Sequence, residues 1–235
     1  MQKAKHTFFC GDIEKGSLNE DESFHASKVM RLMSGDLINI IDGKGNSYIA
    51  KISTAVKKEV QFEIVRKLEK TASPLNVHLV IAPTKNMDRF SFVVEKATEM
   101  GIKKITPIYS QNSERKILKT EKIKKSMIAA IKQSGNLYLP ELYEIKSFNE
   151  FIKSDLGESV KLIAHCNDDA DKSALKDLVK SGKEFVILIG PEGDFTPEEV
   201  ILAKEKGFQA ISLGDSRFRT ETAAILACHT VYLLS

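Results

Sequence analysis

The most restrictive feature of this chain is a short apolar run, Phe185–Ile189, that stops abruptly at the turn Gly190-Pro191-Glu192-Gly193. Such a run, rich in β-branched residues, is typical of a strand that is buried on both faces of a parallel sheet. A helix is predicted directly after the turn, because Thr196 is a favoured N-cap residue, Pro197 suits the first helical position and Glu199 completes a capping box. The stretch therefore predicts a strand, a glycine turn and a helix, in that order.

The same order of elements is repeated further along the chain. Residues 208–213 predict a second strand that ends at Gly214, and residues 220–234 predict the last helix. The two strands then end at the same edge of one sheet, where open α/β sheets bind their ligands. Gly190, Gly193 and Gly214 carry no Cβ atom, so a ligand can lie against bare backbone there. The alternative is that these glycines are the ordinary turns of any α/β protein.

The hydrophobic pattern divides the chain into two predicted domains, 1–70 and 75–235, with a polar linker at 69–74. In the second domain, apolar strands alternate with helical segments, which is the pattern of a parallel sheet covered on both faces by helices. Its predicted strands are 77–82, 105–109, 162–165, 185–189 and 208–213, and its predicted helices are 88–100, 120–133, 172–179, 197–206 and 220–234.

The first domain is predicted to be small and mainly β. A hairpin is expected at 37–41 and 47–52, because two strand-like runs flank a glycine-rich loop. Further strands are predicted at 7–10 and 60–64. A helix is predicted over 20–32.

Composition excludes several classes of protein. The 235 residues are 42% hydrophobic and 29% charged with a net charge of +3, which is ordinary for a soluble globular protein. No apolar run reaches the length of about 18 residues that a membrane-spanning helix needs, and the first residues lack the apolar core of a signal peptide. Three widely spaced cysteines, Cys10, Cys166 and Cys228, match neither a disulfide framework nor a zinc site. We therefore expect a cytoplasmic protein.

Standard nucleotide-binding motifs are missing from the sequence. There is no P-loop, and the turn at 190–193 lacks the G-x-G-x-x-G spacing of a dinucleotide-binding fold. His165 and Cys166 are followed by three aspartates between 168 and 171, but this spacing matches no metal site, so a solvated acidic loop is preferred and no metal is predicted. His165 ends a predicted strand at the ligand edge, and we expect it to line the pocket.

Basic residues are the second chemical signal. Clusters of lysine and arginine are typical of phosphate contacts with nucleic acid, although lysines interspersed with glutamates are equally typical of a solvated surface. For Lys122, Lys124 and Lys125 both interpretations stay open. Arg31 and Arg219 carry more weight, because they stand next to predicted turns where a guanidinium can grip a phosphate or a base edge. The other basic candidates are His25, Lys28, Lys44, Arg89, Arg115, Lys116, Lys119 and Arg217.

Ordered blocks along nearly the whole chain resemble one family, the RsmE-type 16S ribosomal RNA uracil-N3 methyltransferases of the SPOUT superfamily. In the first domain these blocks are residues 25–31, 35–36 and 42–45. In the second domain they are Lys85, Arg89, 95–102, 113–115, 132–134, 139–140, 189–193, 196–200, 213–214 and 219–223. The resemblance is specific because so many blocks occur in the same order.

The resemblance implies an α/β fold with a carboxy-terminal SPOUT (α/β knot) domain that contains a parallel sheet, preceded by a small PUA-like β-barrel domain that helps to hold RNA. It implies that the last segments form a deep trefoil knot around S-adenosyl-L-methionine, which periodicity cannot predict because knotted chains are rare. It also implies ribosomal RNA or the 30S subunit as substrate, a homodimer with the substrate site near the subunit interface, and no membrane or metal partner.

The resemblance also implies roles for individual residues. The cofactor is expected to contact His165, Ile189, Gly190, Gly193, Leu213, Gly214 and Phe218. RNA is expected to contact His25, Lys28, Arg31, Lys44, Lys85, Arg89, Arg115 and Arg217.

Methyl transfer to uracil N3 needs that nitrogen deprotonated, so a base or a cation that stabilises the uracil anion is required. We expect Arg219 to bind the developing oxyanion or an adjacent phosphate. Glu221 is the candidate proton acceptor, with helix capping or pairing with Arg219 as its alternatives.

Three positions depart from the commoner family pattern. Asp194 stands where a further glycine is usual, Asp215-Ser216-Arg217 replaces a proline-arginine-apolar run, and Asn136 stands where an arginine is typical. Two alternative functions stay open at this point. One is a SPOUT methyltransferase for another position in ribosomal or transfer RNA, and the other is a non-catalytic RNA-binding or ribosome-assembly protein.

Overall fold

The structure is a computed structural model that describes residues 4, 6–68, 74–167 and 171–235. These residues form two compact units. The first unit holds the described residues up to 68 together with 128–139, and the second holds 74–127 and 140–235. The predicted linker at 69–74 lies outside the described residues except for Pro74.

The first unit contains a four-stranded sheet in the order β1-β2-β3-β4. The hairpin prediction is confirmed, since β2 and β3 pair antiparallel with Ile41 opposite Ser47. Phe8, Ile38 and Phe62 are buried between the sheet and the segments that cover it. The strands are β1 (Thr7–Phe9), β2 (Leu37–Ile41), β3 (Ser47–Ala55) and β4 (Val60–Lys67).

The predicted helix over 20–32 ends early, at Val29, and its second half is π-helical. Helix α1 (Glu20–Phe24) begins at the N-cap Asn19, whose side chain accepts a hydrogen bond from the Glu22 amide at 2.9 Å. The chain then widens into a π-helical turn over His25–Val29, and Arg31 adopts a left-handed conformation with φ of 54°. His25 and Lys28 therefore lie on the π-helical turn, whereas Arg31 lies beyond it.

Residues 128–139 belong to the first unit. They include the second half of the helix Thr120–Ser134, whose first half belongs to the second unit. The Nζ atom of Lys132 lies 2.6 Å from Glu22 Oε1, and both side chains are largely buried. The amide of Leu139 donates to the carbonyl of Gly43 at 2.9 Å. These contacts explain the grouping, which no local sequence pattern indicates.

The second unit is built on an eight-stranded sheet in which all the recorded pairings are parallel. The predicted parallel sheet and its five strands are confirmed in existence and type. The five are β5 (Leu75–Ile81), β6 (Ile102–Tyr109), β9 (Val160–Ala164), β11 (Phe185–Ile189) and β12 (Gln209–Ser212). Their spatial order is β12-β9-β11-β5-β6, and short strands at the edges were not predicted: β7 (Glu141–Leu142), β8 (Lys146–Ser147) and β10 (Ser173–Ala174).

Helices cover this sheet and bury its apolar side chains. The capping box of helix α6 (Pro197–Glu205) is confirmed, since the Glu199 amide donates to Thr196 Oγ1 at 3.2 Å and the Thr196 amide donates to Glu199 Oε2 at 3.0 Å. Gly207 follows α6 with φ of 83°, as expected of a C′ glycine. The helices that pack against these strands are α2 (Met87–Glu99), α4 (Phe148–Ile152), α5 (Leu175–Leu178), α6 (Pro197–Glu205) and α7 (Thr220–Leu234). Helix α3 (Thr120–Ser134) is divided between the two units.

No helix within the described ranges is both long enough and apolar enough to cross a membrane.

Candidate functional site

Three neighbouring strands of the second unit end at the same level. The register pairs Ala164 of β9 with Ile189 of β11 and with Ile211 of β12. The loops that follow these strands therefore leave the sheet side by side, at the edge where open α/β sheets bind ligands.

A cavity of about 770 Å³ lies among these loops and the first turns of α2 and α7. Its volume falls in the range of small-molecule sites, roughly 300–1,000 Å³. Apolar groups and bare backbone line it together with several charged side chains. The lining residues that the argument uses are His165, Cys166, Ile189, Gly190, Leu213 and Gly214 from the strand ends, and Arg89, Arg217, Phe218, Arg219, Thr220 and Ala223 from the helix starts and the last loop.

Most of the residues predicted to contact a cofactor line this cavity, but Gly193 does not. The side-chain amide of Asn112 donates to the Gly193 carbonyl at 3.0 Å. A Cβ atom on Gly193 would lie 3.0 Å from Asn112 Cβ, so this glycine permits close contact between two loops. The sequence reasoning missed Asn112, because nothing in the local pattern relates it to a turn 81 residues away.

A buried hydrogen bond joins the first glycine turn to the last helix. Thr220 Oγ1 donates to the Gly190 carbonyl at 3.0 Å. A Cβ atom on Gly190 would lie 3.2 Å from the ring of Phe195, so a larger residue would push the turn away from its support. Gly214 has φ of 136°, a conformation that L side chains rarely adopt. Gly214 is therefore required by its backbone conformation, and Gly190 lets the first turn pack closely against Phe195.

The structure explains why aspartate is tolerated at position 194, where the family pattern usually has a glycine. It has φ of 63°, and aspartate tolerates the left-handed conformation better than most residues because its side chain bonds locally. Its carboxylate accepts hydrogen bonds from the Cys166 amide at 2.6 Å and the Phe195 amide at 2.8 Å. Asp194 thus takes the conformation of a glycine and also ties the β9 loop to the β11 loop.

The loops after β5 and β6 are tied to the same turn. Glu192 Oε1 accepts a hydrogen bond from the Lys85 amide at 3.0 Å, and Glu199 Oε1 accepts one from the Gln111 amide at 2.9 Å. Arg115 Nη2 donates to the Lys85 carbonyl at 3.0 Å. Lys85 and Arg115, both predicted RNA contacts, are therefore neighbours in this unit.

Glu221 pairs with a different arginine from the one considered in the sequence analysis. Its Oε1 lies 3.6 Å from Nη1 of Arg89, and its side chain is 14% exposed. Arg219 is exposed and occupies the N-cap position of α7, where its carbonyl accepts from the Ala223 amide at 2.8 Å. The carboxylate of Glu221 itself is not among the groups that line the cavity.

The remaining RNA candidates lie in the first unit. His25 and Lys28 are on the π-helical turn, with His25 half-buried and Lys28 exposed, and Arg31 follows in its left-handed conformation. Lys44 is exposed in the loop between β2 and β3, where its Nζ donates to the Gly11 carbonyl at 3.2 Å.

Within the described part of the chain, no three His, Cys, Asp or Glu side chains are grouped so that they could hold a metal ion. Asp168 and Asp169, which the sequence analysis considered with His165 and Cys166, lie outside the described residues.

Comparison with known proteins assigns both parts of the chain. Residues 71–232 match the family described as RNA methyltransferase domain, and residues 18–65 match the RNA methyltransferase PUA domain. A parallel sheet with this strand-end cavity, joined to a PUA domain, defines the class: an RNA methyltransferase with a SPOUT fold.

A relative from Aquifex aeolicus, a ribosomal RNA small subunit methyltransferase E, is 30% identical over 94% of this chain and 96% of its own length. The chain belongs to the ribosomal RNA small subunit methyltransferase E family.

Two solved structures share the whole architecture. The crystal structure of a probable rRNA-methyltransferase from Porphyromonas gingivalis is 35% identical, with a TM-score of 0.87 over 97% of this chain and 98% of that one. A ribosomal RNA small subunit methyltransferase E from Neisseria gonorrhoeae, bound to S-adenosyl methionine, is 28% identical with a TM-score of 0.87 over 97% of both chains.

Proposed function

We propose that this protein transfers a methyl group from S-adenosyl-L-methionine to N3 of a uridine in 16S ribosomal RNA. The observation that carries the proposal is the cavity at the ends of β9, β11 and β12, with glycine backbone on two sides. The Neisseria relative is named as a small-subunit ribosomal RNA methyltransferase and was solved with this cofactor bound, which supports both the substrate class and the cofactor.

The residues of the cavity fit the cofactor chemically. Ile189, Leu213 and Phe218 offer apolar surface to an adenine ring, while Gly190 and Gly214 have no side chain and so let a ligand approach the backbone closely. The lining also holds charged side chains of both signs, which can pair with the positive and the negative groups of the cofactor. They are Glu192, Asp194 and Asp215, and Arg89, Lys172, Arg217 and Arg219. When bound, the cofactor would supply an electrophilic methyl group on a sulfonium centre.

The chain must supply the rest of the chemistry. The N3 proton has to leave, and negative charge develops on the uracil oxygens, so a fixed cation near the cavity lowers the barrier. Arg219 lies at the cavity with an exposed side chain, and we assign it to the developing oxyanion or an adjacent phosphate. Glu221, next to it in the first turn of α7, stays a candidate proton acceptor.

RNA contacts are proposed for the basic residues of both units. Arg217 and Arg89 line the cavity, and Lys85 and Arg115 are linked through the Lys85 carbonyl. In the first unit, Lys28, Arg31 and Lys44 supply further positive charge and His25 a further hydrogen-bonding group, all within the segment that matches the PUA domain. These cations account for binding to a polyanion, with strong salt dependence expected.

We also propose a homodimer in the cytoplasm. Apolar side chains of α2 and α7 stay exposed in the single chain, with Phe92 at 48%, Tyr232 at 54% and Leu233 at 64% exposure. Exposed apolar side chains on adjacent helices favour burial against a partner. Light scattering of the purified protein tests this, because a monomer at micromolar concentration contradicts it.

The function is tested in two steps. Calorimetric titration with S-adenosyl-L-methionine is expected to show binding, and a lack of heat would favour the non-catalytic alternative. Mass spectrometry of 16S ribosomal RNA from cells that lack the gene is then expected to show loss of 3-methyluridine. If that nucleoside persists while another methylated nucleoside disappears from ribosomal or transfer RNA, the enzyme acts at a different position.

A further inference from the structure

Two side chains with separate roles in the sequence analysis meet in the structure. Arg89 is in the first turn of α2 and Glu221 is in the first turn of α7, and their Nη1 and Oε1 atoms are 3.6 Å apart. They are 132 residues apart in the chain, so only the packing of α2 against α7 brings them together.

The pair has an inner and an outer member. The Glu221 side chain is 14% exposed, and its Oε2 atom is buried with no hydrogen-bond partner among the described residues. The Arg89 side chain is 42% exposed and lines the cavity. A carboxylate buried in this way needs a cation beside it, because an uncompensated buried charge is costly. Glu221 therefore lies behind Arg89, and Arg89 faces the cavity.

The guanidinium of Arg89 can contact Glu221 and a ligand in the cavity at the same time. It has five N–H donors in a rigid plane, so one edge can face Glu221 while other donors face an anionic oxygen in the cavity. Two further basic residues belong to nearby loops, since Lys85 precedes Arg89 by four residues and Arg115 donates to the Lys85 carbonyl. The Lys85 ammonium is paired with Glu114 at 3.0 Å, and neither Lys85 nor Arg115 lines the cavity, so Arg89 is the member of this group that is placed to meet an anionic oxygen of RNA there.

We infer that Arg89 binds an anionic oxygen of the target nucleotide during methyl transfer, and that Glu221 is the positioning residue that holds Arg89 in place. The inference rests on the proposed function and deepens it. It assigns Glu221 the positioning of Arg89 instead of the acceptance of a proton. It also assigns Arg89 a role in the methyl-transfer step instead of general RNA binding.

The experiment measures single-turnover methyl transfer to small-subunit ribosomal RNA at saturating cofactor. The variants are Arg89→Met, Arg89→Lys, Glu221→Gln and the double variant Arg89→Met/Glu221→Gln. Lys96→Met is the matched control, because Lys96 is in the same helix and pairs with Glu95 and Glu99 at 2.8 Å but does not line the cavity. Cofactor affinity and RNA affinity are measured separately for each variant, by calorimetry and by filter binding.

For Arg89→Met we expect a fall of about 100-fold in the transfer rate, the size typical of losing one donor to a developing oxyanion. Cofactor affinity should stay within about threefold, since the inference places Arg89 on the nucleotide. Arg89→Lys should recover part of the rate, because it restores the charge without the planar fork. Glu221→Gln alone should lower the transfer rate relative to wild type. It should not lower the rate further in the Arg89→Met background.

Each other outcome counts against the inference. Weaker cofactor binding in Arg89→Met with an unchanged saturated rate would place Arg89 on the cofactor carboxylate. Weaker RNA binding in Arg89→Met, with an unchanged transfer rate, would show that Arg89 contributes only a general phosphate contact. An equal further loss from Glu221→Gln in the Arg89→Met background would show that Glu221 acts independently, as a proton acceptor does. If wild type transfers no methyl group, the proposed function fails and the inference fails with it. If the wild-type enzyme is active, the results for the variants test the inference about Arg89 and Glu221 without testing the proposed function.

Discussion

At the scale of single residues, the three cysteines differ sharply in their surroundings. Cys166 is exposed and lines the cavity, whereas Cys10 and Cys228 are buried. Burial raises the pKa of the Cys10 thiol and raises that of Cys228 to about 12, so neither forms a reactive thiolate near neutral pH.

We therefore predict that a maleimide labels one thiol per chain in the native protein at pH 7.5, and that this thiol is Cys166. S-adenosyl-L-methionine should slow the labelling in proportion to cavity occupancy, as followed by intact-protein mass spectrometry. Cys166→Ser should remove the label. Labelling that is indifferent to saturating cofactor would contradict the placement of the cofactor beside this loop.

Arg219 provides the second residue-scale prediction. Its side chain is exposed and its contribution to α7 is a backbone carbonyl, so Arg219→Ala should leave the fold intact. The transfer rate should fall by a factor on the order of 100 if the guanidinium stabilises developing charge. Circular dichroism and single-turnover transfer check the two parts. Full activity in the variant would remove the assigned role.

At the scale of elements, long apolar or periodic segments could be predicted and short ones could not. The run at 185–189 and the capping box at 196–199 have strong local signals, and both appear in the structure as predicted. Strands β7, β8 and β10 contain two residues each, too few for any periodicity. Their existence depends on neighbours in the sheet, which a sequence pattern does not contain.

The candidate site divides in the same way. Strand-end glycines could be found because a turn needs them locally, and Gly190 and Gly214 do line the cavity. The pairing of Arg89 with Glu221 and the bond from Asn112 to Gly193 depend on distant segments packing together. The trefoil knot, which only the family resemblance implies, stays a prediction.

The bond between α7 and the first glycine turn gives a prediction at this scale. Thr220→Val keeps the side-chain shape but leaves the buried Gly190 carbonyl without its donor, which should cost about 1–3 kcal/mol of stability. Cofactor affinity should fall as well, because the turn loses its attachment to the helix. Urea unfolding and calorimetry measure the two effects. Thr220→Ser retains the hydroxyl and should behave like wild type, and equal losses in both variants would exclude the hydrogen bond as the cause.

At the scale of the whole molecule, one buried histidine makes stability depend on pH. His78 on β5 lies against the ring of Phe151, and its Nε2 is 2.7 Å from Thr106 Oγ1. Burial, assisted by the nearby Lys104 cation, lowers the pKa of His78 to about 4. Between pH 6.5 and 4 the unfolded chain binds a proton that the folded chain does not, so stability is complete above about pH 6.5 and decreases as the pH falls.

We predict that the unfolding free energy decreases by about 2 kcal/mol through His78 between pH 7 and pH 5, because each pKa unit of difference between the unfolded and folded chain corresponds to about 1.36 kcal/mol. The measurement is urea unfolding of wild type and His78→Gln at both pH values. The glutamine variant can still bond Thr106 but does not titrate, so the difference between the two proteins should be larger at pH 7 than at pH 5. A difference that does not change with pH would show that His78 charges freely in the fold.

Apart from Arg89 and Lys172, the residues that line the cavity come from three segments spread over the last third of the chain, around 164–166, 189–194 and 211–223. During translation the ribosome delivers these segments in order, and the enclosure exists only once residues beyond 223 have left the exit tunnel. A nascent chain therefore has no complete site for the methyl donor. The donor can stabilise the protein only after synthesis of the preceding sheet is complete.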